Sequence, residues 1–198
     1  IFGQESRRVL EFACLNSFFQ SGLRNLLDEA VLTHAELHTD IKSGVGYVKI
    51  DEIPFDFERR RMSVVVATAD GAKHFLICKG AVEEIIAVCD RADRNGVGVP
   101  VEKGHEDDLR AVTRELHEDG FRVIAVAFKE LPPGPATYEP SDEAGLTLLG
   151  YIAFLDPPKE SAAVALASLR DAGVAVKVLT GDNDAVTRHV CRQVGLPA

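Results

Sequence analysis

The residues best suited to chemistry lie in one stretch, Phe55-Asp56-Phe57-Glu58-Arg59-Arg60-Arg61-Met62-Ser63. Two aromatic rings and three consecutive arginines stand directly before a β-branched run, Val64-Val65-Val66. That run leads to Asp70-Gly71, a strong hairpin-turn signal, and a second apolar run, Phe75-Leu76-Ile77-Cys78, leads into Lys79-Gly80-Ala81. With Asp70 and Gly71 at the centre of the turn, Met62 faces Lys79 and Ser63 faces Cys78. The aromatic and arginine stretch then meets Lys79 at the open end of the hairpin. A slip of one or two residues would change which side chains share a face, but not this meeting. Such a grouping suits a nucleotide. A ring can stack on a base, worth on the order of 1–3 kcal/mol. Lysine and arginine can meet phosphates, and Gly80 lets a backbone come close. The competing reading packs Phe55 and Phe57 into a core, leaves the arginines in solvent and gives the glycine only a turn.

A second group lies toward the other end. An apolar strand, Leu146 to Leu155, ends at Asp156-Pro157-Pro158-Lys159. A helix from Ser161 to Ala172 follows, then a second apolar strand, Val174 to Leu179, ending at Thr180-Gly181-Asp182, and a helix from Asp184 to Val194. Strand, helix, strand and helix with short links predict a parallel βαβ unit with a right-handed crossover. The reactive edge of such a sheet lies at the carboxyl ends of its strands. Asp156 and Asp182 there can hold a magnesium-phosphate group or orient a nucleophile, while the Thr180 hydroxyl and Gly181 amide can take phosphate oxygens. The competing reading is helix capping by Asp182 or Asp184 and a plain turn at Asp156-Pro157.

The elements that must position these residues follow from apolar periodicity. Ser6 to Gln20 and Leu23 to Leu37 read as helices, the second with Leu23, Leu27, Ala30 and Val31 on one side. Asp28 sits mid-helix beside that side, where a solvated helix face is the plain reading. His34 and His38 are one turn apart, but no third ligand accompanies them, so no metal site is assigned. Asp40 to Gly46 reads as loop and Val48 to Ile53 as strand. Val82 to Asp90 reads as a helix with Glu83 and Glu84 in its first turn. Acids suit the helix dipole there but oppose a docking phosphate, which leaves Lys79 as the better phosphate contact. Asn95-Gly96 marks a turn. Glu106 to Asp119 reads as a helix with Leu109, Val112 and Leu116 inward, stopped by Gly120. Arg122 opens a strand, Val123 to Phe128, and an irregular loop runs to about Ala144.

Composition narrows the function classes. Hydrophobic residues make up 46% and charged residues 27%, as in ordinary globular chains. With 31 acidic residues against 22 basic ones the formal charge is −9, which argues against a nucleic-acid partner. Cys14, Cys78, Cys89 and Cys191 form no C-x-x-C pair and read as buried, reduced thiols. No signal peptide and no apolar run of membrane-spanning length is present. The chain opens Ile-Phe-Gly without an initiator Met, so a piece of a longer protein or a processed product is expected. It contains no Walker A sequence, no G-x-G-x-x-G, and no Ser-His-Asp or Cys-His ordering.

Phe57-Glu58-Arg59-Arg60-Arg61-Met62-Ser63, Lys79-Gly80-Ala81, Asp156-Pro157-Pro158-Lys159 and Thr180-Gly181-Asp182-Asn183 stand in an order and spacing that resemble P-type ATPases. The wording from Asp51 to Arg61 and from Gly150 to Lys159 is most similar to the bacterial magnesium-transporting branch. The resemblance implies an α/β fold of two parts. Residues 1–144 would be a nucleotide-binding domain, an antiparallel sheet flanked by helices. Residues 145–198 would be a partial, Rossmann-like phosphorylation domain of haloacid dehalogenase type. It implies that Phe57 stacks on adenine, that Lys79 lies near the base and ribose-phosphate, and that Gly80 permits close approach. Asp28 would meet the adenine amino group. Arg59 and Arg122 would contact phosphates or link the domain to its neighbour. Thr180, Gly181, Asp182 and Asp156 would lie beside the phosphorylated aspartate.

The resemblance further implies ATP with Mg2+ as cofactors. The partners would be the remaining phosphorylation, actuator and membrane domains of the pump, and the location the cytoplasmic face of the membrane. The Asp-Lys-Thr-Gly-Thr segment with that aspartate is not in the chain, so the fragment is expected to be inactive alone. Met62 stands where several relatives have lysine. The rival readings are a haloacid dehalogenase-type phosphatase, which needs an Asp-x-Asp nucleophile, and a regulatory module that binds no nucleotide.

Overall fold

The computed structural model describes residues 6–22, 25–38, 44–101, 105–134, 137–181 and 183–197. It divides into two compact units, residues 1–107 with 124–152, and residues 108–123 with 153–198. The expectations for Leu23, for most of the loop from Asp40 and for Asp182 lie outside the described residues, as does that for the side chain of Leu109.

The first unit is built on the expected hairpin. β1 (Tyr47–Asp56), β2 (Arg61–Thr68) and β3 (His74–Gly80) run antiparallel in turn. Met62 pairs with Lys79 and Ser63 with Cys78, the register set by a turn centred on Asp70-Gly71. β2 and β3 show no alternation of buried and exposed residues, because both of their faces are covered. Helices α1 (Arg7–Phe19) and α2 (Leu26–His38) pack together, with α1 against the sheet. Phe12 of α1 sits edge-on to Phe75 at 5.7 Å and Phe128 at 5.1 Å, a favoured geometry for aromatic pairs. β1 is an edge strand, which tolerates Pro54 beside a register shift between Ile53 and Asp56.

The sheet has seven strands in the order β1-β2-β3-β6-β7-β4-β5, with β4 (Cys89–Arg94), β5 (Val97–Pro100), β6 (Phe121–Leu131) and β7 (Leu146–Leu155) completing it. Three expectations are corrected here. The helix expected from Val82 to Asp90 is α3 (Val82–Ile86) alone. Cys89 onward is strand, because Asn95 and Gly96, both at positive φ, fold it back on β5 as a hairpin. The sheet is not purely antiparallel, since β4 pairs with β7 in parallel. The βαβ unit does not form either. Its first strand, β7, is taken up between β6 and β4, and the expected second strand, Val174 to Leu179, is irregular and exposed. Among the described residues no strand follows α5 (Glu160–Asp171), so that segment has no ladder to join.

The second unit contains most of α4 (His105–Glu118) together with α5 and α6 (Asp184–Gln193). Among the described side chains of α4, Thr113 is buried, Val112 exposed and Leu116 half-buried. Gly120, at φ 87°, ends α4 with its Cα against the His189 ring, where a Cβ would come within 2.5 Å.

All four cysteines are free thiols, and burial pushes Cys14 up to about 11 and Cys78 up to about 12. Gly80 deserves its type for packing reasons. A Cβ there would lie 2.5 Å from the Arg60 carbonyl oxygen and 2.7 Å from the Arg61 Cα. Gly80→Ala should therefore destabilise the chain by about 1–3 kcal/mol, as overpacking does, read as a lower urea midpoint. An unchanged midpoint would show that the two strands can part without cost.

Candidate functional site

The open end of the hairpin begins at Asp56. Its carboxylate accepts the Glu58 amide at 2.7 Å and the Arg59 Nε at 3.1 Å, and its carbonyl accepts the Arg60 amide at 2.7 Å. These bonds close a tight turn between β1 and β2. The turn holds Phe57 almost wholly in solvent, 89% exposed, with Phe55 edge-on at 5.3 Å and itself 51% exposed. The two rings are not core. An exposed aromatic pair costs burial energy that the fold could have recovered, so it needs another reason to stand there.

Two of the three arginines are not in solvent. Arg59 Nη1 lies 2.5 Å and Arg61 Nε 2.8 Å from Glu143 Oε2, and the Ser63 hydroxyl donates to Oε1 at 2.7 Å. The Glu143 side chain has no exposed surface. A short 3-10 turn, Pro140–Asp142, delivers it, with Glu139 and Asp142 closing a reciprocal capping box. A fully buried carboxylate needs this many donors, so Arg59 and Arg61 are committed to it. Arg60 is different. Its side chain is 55% exposed and its partner is Glu84 at 3.6 Å.

On the other strand, Lys79 is buried and its ammonium meets the Asp28 carboxylate and, at 2.8 Å, the Ser17 hydroxyl. Asp28, 2% exposed, also accepts from Ser17 at 2.8 Å and Gln20 at 2.6 Å. Asp28 is neither mid-helix nor on a solvated face. It is the third residue of α2, and it exchanges hydrogen bonds with the Asn25 backbone and side chain just before the helix. The helix-end requirement for a capping carboxylate and the requirement of a buried lysine for a counter-charge are met by one side chain. Burial would raise the Asp28 carboxyl; the Lys79 charge and the bonds from Lys79, Gln20 and Ser17 outweigh it and hold it below its ordinary value.

The structure thus gathers Asp28 and Lys79, with Gly80 next to them in β3, and brings Phe57 and Arg59 into one turn beside the same hairpin end. In the second unit, Arg122 lies 3.7 Å from Asp156. Thr180 and Gly181 are exposed in the irregular segment before α6. The cap of α6 is Asn183, whose side chain accepts the Ala185 amide at 2.8 Å, rather than Asp184. Sequence reasoning passed over Ser17, Gln20 and Glu143. The first two were visible as polar residues three apart in an apolar helix. Glu143 carried no local signal, since it lies in a Pro-rich connection.

Comparison with known proteins now bears on this arrangement. The family model for the P-type ATPase cytoplasmic domain N matches residues 11–161. The chain belongs to this family. It is 50% identical over 198 residues to "Magnesium-transporting ATPase, P-type 1" of Escherichia coli (strain K12), covering 100% of this chain and 22% of that protein. The protein of the same name from Salmonella typhimurium (strain 14028s / SGSC 2262) is likewise 50% identical with the same coverage. "Calcium-transporting ATPase 3, endoplasmic reticulum-type" of Arabidopsis thaliana is 32% identical over 151 residues, 75% of this chain and 15% of that one. The chain therefore spans about a fifth of the length of the magnesium-transporting relatives. Among the described residues no helix is long and apolar enough to cross a membrane, and no group of His, Cys, Asp and Glu could hold a metal ion.

The buried pair yields a stability prediction. Asp28→Ala leaves the Lys79 ammonium without its counter-charge and should cost about 3–5 kcal/mol in urea unfolding. The depressed carboxyl also fixes a sign. Its contribution is fully present above the ordinary value of 3.8 and is lost as pH falls through the folded-state value. Acid titration of the unfolding midpoint should show this loss in the unaltered chain and a shallower one in Asp28→Asn. Identical acid profiles would remove Asp28 from the account.

Proposed function

We propose that this chain binds an adenine nucleotide at the open end of the β2–β3 hairpin, with Phe57 as the platform for the base. The observation that carries this reading is a ring held 89% in solvent by a turn whose flanking arginines, Arg59 and Arg61, are both bound to Glu143. Asp28, Lys79 and Gly80 form the adjoining wall. The Lys79 and Asp28 pair would present a fixed polar edge to the base and ribose. Family membership supports the reading, since the matching model describes the domain N of these ATPases. Residues 1–144 are the nucleotide-binding part in this proposal, and residues 145–198 belong to the phosphorylation part. There Asp156, Thr180, Gly181 and Asp182 would face the phosphorylated aspartate, while Arg122, in the first part, would contact phosphates or link the two parts.

In the complete pump, at the cytoplasmic face of its membrane, the domain would carry ATP to that aspartate, and the phosphorylation would drive cation transport. Half-identity to magnesium-transporting relatives supports magnesium as the ion. The residues fit ATP at its base, through an exposed ring beside a buried polar pair. Magnesium ions bound with the nucleotide would offset phosphate charge.

The test is an amide NMR titration of the chain with ATP and ADP, repeated on Phe57→Ala. Shifts should cluster at the turn and at the end of β3. Loss of the ring should weaken both nucleotides about five- to 150-fold, the value of one base–aromatic stack of about 1–3 kcal/mol. Equal binding by the variant would refute the platform, and no binding by the unaltered chain would leave an interaction module instead.

A further inference from the structure

We infer that Arg60 is the residue that meets the nucleotide's phosphates, and that Glu143 selects it by withholding the arginines on either side. The inference rests on the adenine-nucleotide reading. Three consecutive arginines look equivalent in sequence, but the fold makes them unequal. Arg59 and Arg61 have side chains 17% and 14% exposed, both bound to a carboxylate with no exposed surface. Lys79 is committed to Asp28 and Ser17. Met62 pairs opposite Lys79 and is buried. At this end of the hairpin, among the described residues, Arg60 is the cation left largely in solvent, in the same turn as Phe57.

The backbone gives a second, independent reason. Arg60 has φ 48°, the left-handed region that long side chains seldom adopt. The conformation is held from both sides. Its amide donates to the Asp56 carbonyl at 2.7 Å, and its carbonyl accepts the Ala81 amide at 3.0 Å. Gly80 lies close enough against that carbonyl that no Cβ fits between them. Strain that the surrounding structure over-determines in this way is often found at binding sites.

The anion now opposite Arg60 is Glu84 at 3.6 Å, a long, partly exposed pair worth little. A di- or triphosphate offers several oxygens at short range and would take its place, because charge-assisted hydrogen bonds to phosphate are shorter and stronger. Adenosine, which has the base but no phosphate, would not engage Arg60. Ring and arginine thus divide the ligand between them.

The experiment measures affinities of the chain for adenosine, ADP and ATP. The variants are Arg60→Asn, which tolerates the left-handed backbone while removing the cation, Arg60→Lys, which restores charge, and Glu84→Gln. Arg60→Asn should weaken ADP and ATP about tenfold, the scale of one hydrogen bond to a charged group, and leave adenosine unchanged. Arg60→Lys should recover part of the loss. Glu84→Gln should tighten ADP. Equal loss for adenosine and ADP would assign Arg60 a structural role only and overturn the inference. So would unchanged ADP binding in Arg60→Asn. If the unaltered chain bound neither adenosine nor ADP, the adenine reading would fall and this inference with it.

Discussion

A carboxylate with no exposed surface must be matched by donors, and much of the hairpin end follows from that constraint. Glu143 takes two arginines and a serine from β2 and the turn before it. On the neighbouring strand the same rule ties Lys79 to Asp28. Replacing Asp28, Lys79 or Glu143 would leave a buried charge without its counter-charge, which costs far more than an exposed ion pair returns. The two arrangements fix the ends of β2 and β3 from opposite directions, and Gly80 lets the strands close between them. What these bonds do not consume is equally defined. Phe57 and Arg60 remain in solvent on a turn that has little freedom to move.

This division explains how chemistry can be placed at a strand end without a loop that orders on binding. The Asp56 side chain closes the turn, the capping box at Glu139 and Asp142 sets the height of Glu143, and Asn25 sets the start of α2 so that Asp28 reaches Lys79. Each is a local backbone requirement whose side chain or neighbour also serves the site. Under the proposed reading, the domain is preorganised for its ligand, and affinity is not spent on ordering it.

The hairpin was legible because turn chemistry and β-branched runs agree, so Met62 opposite Lys79 could be read directly from Asp70-Gly71. The long periodic helices were legible for the same reason. The course of residues 87–100 was not, because a two-residue hairpin at Asn95-Gly96 outweighs the helical pattern before it. The apolar periodicity starts α2 at Leu23 and so makes Asp28 a mid-helix acid on a solvated face; the cap at Asn25 makes it a first-turn acid instead. Glu143 could not be found, since its partners lie about eighty positions away in sequence and no local pattern encodes such a pair. In the second unit the apolar run 174–179 has strand composition without a strand's neighbours, and composition alone does not supply a ladder.

The central claim is geometric: an adenine ring lies on the face of Phe57. The measurement that addresses it most directly is a set of intermolecular NOEs between the adenine H2 and H8 protons of bound ADP and the aromatic protons of a selectively labelled Phe57. The account predicts cross-peaks from the adenine to Phe57, with none to phenylalanines of the core such as Phe12 or Phe128. Adenine cross-peaks that bypass Phe57, in a chain that demonstrably binds ADP, would contradict it.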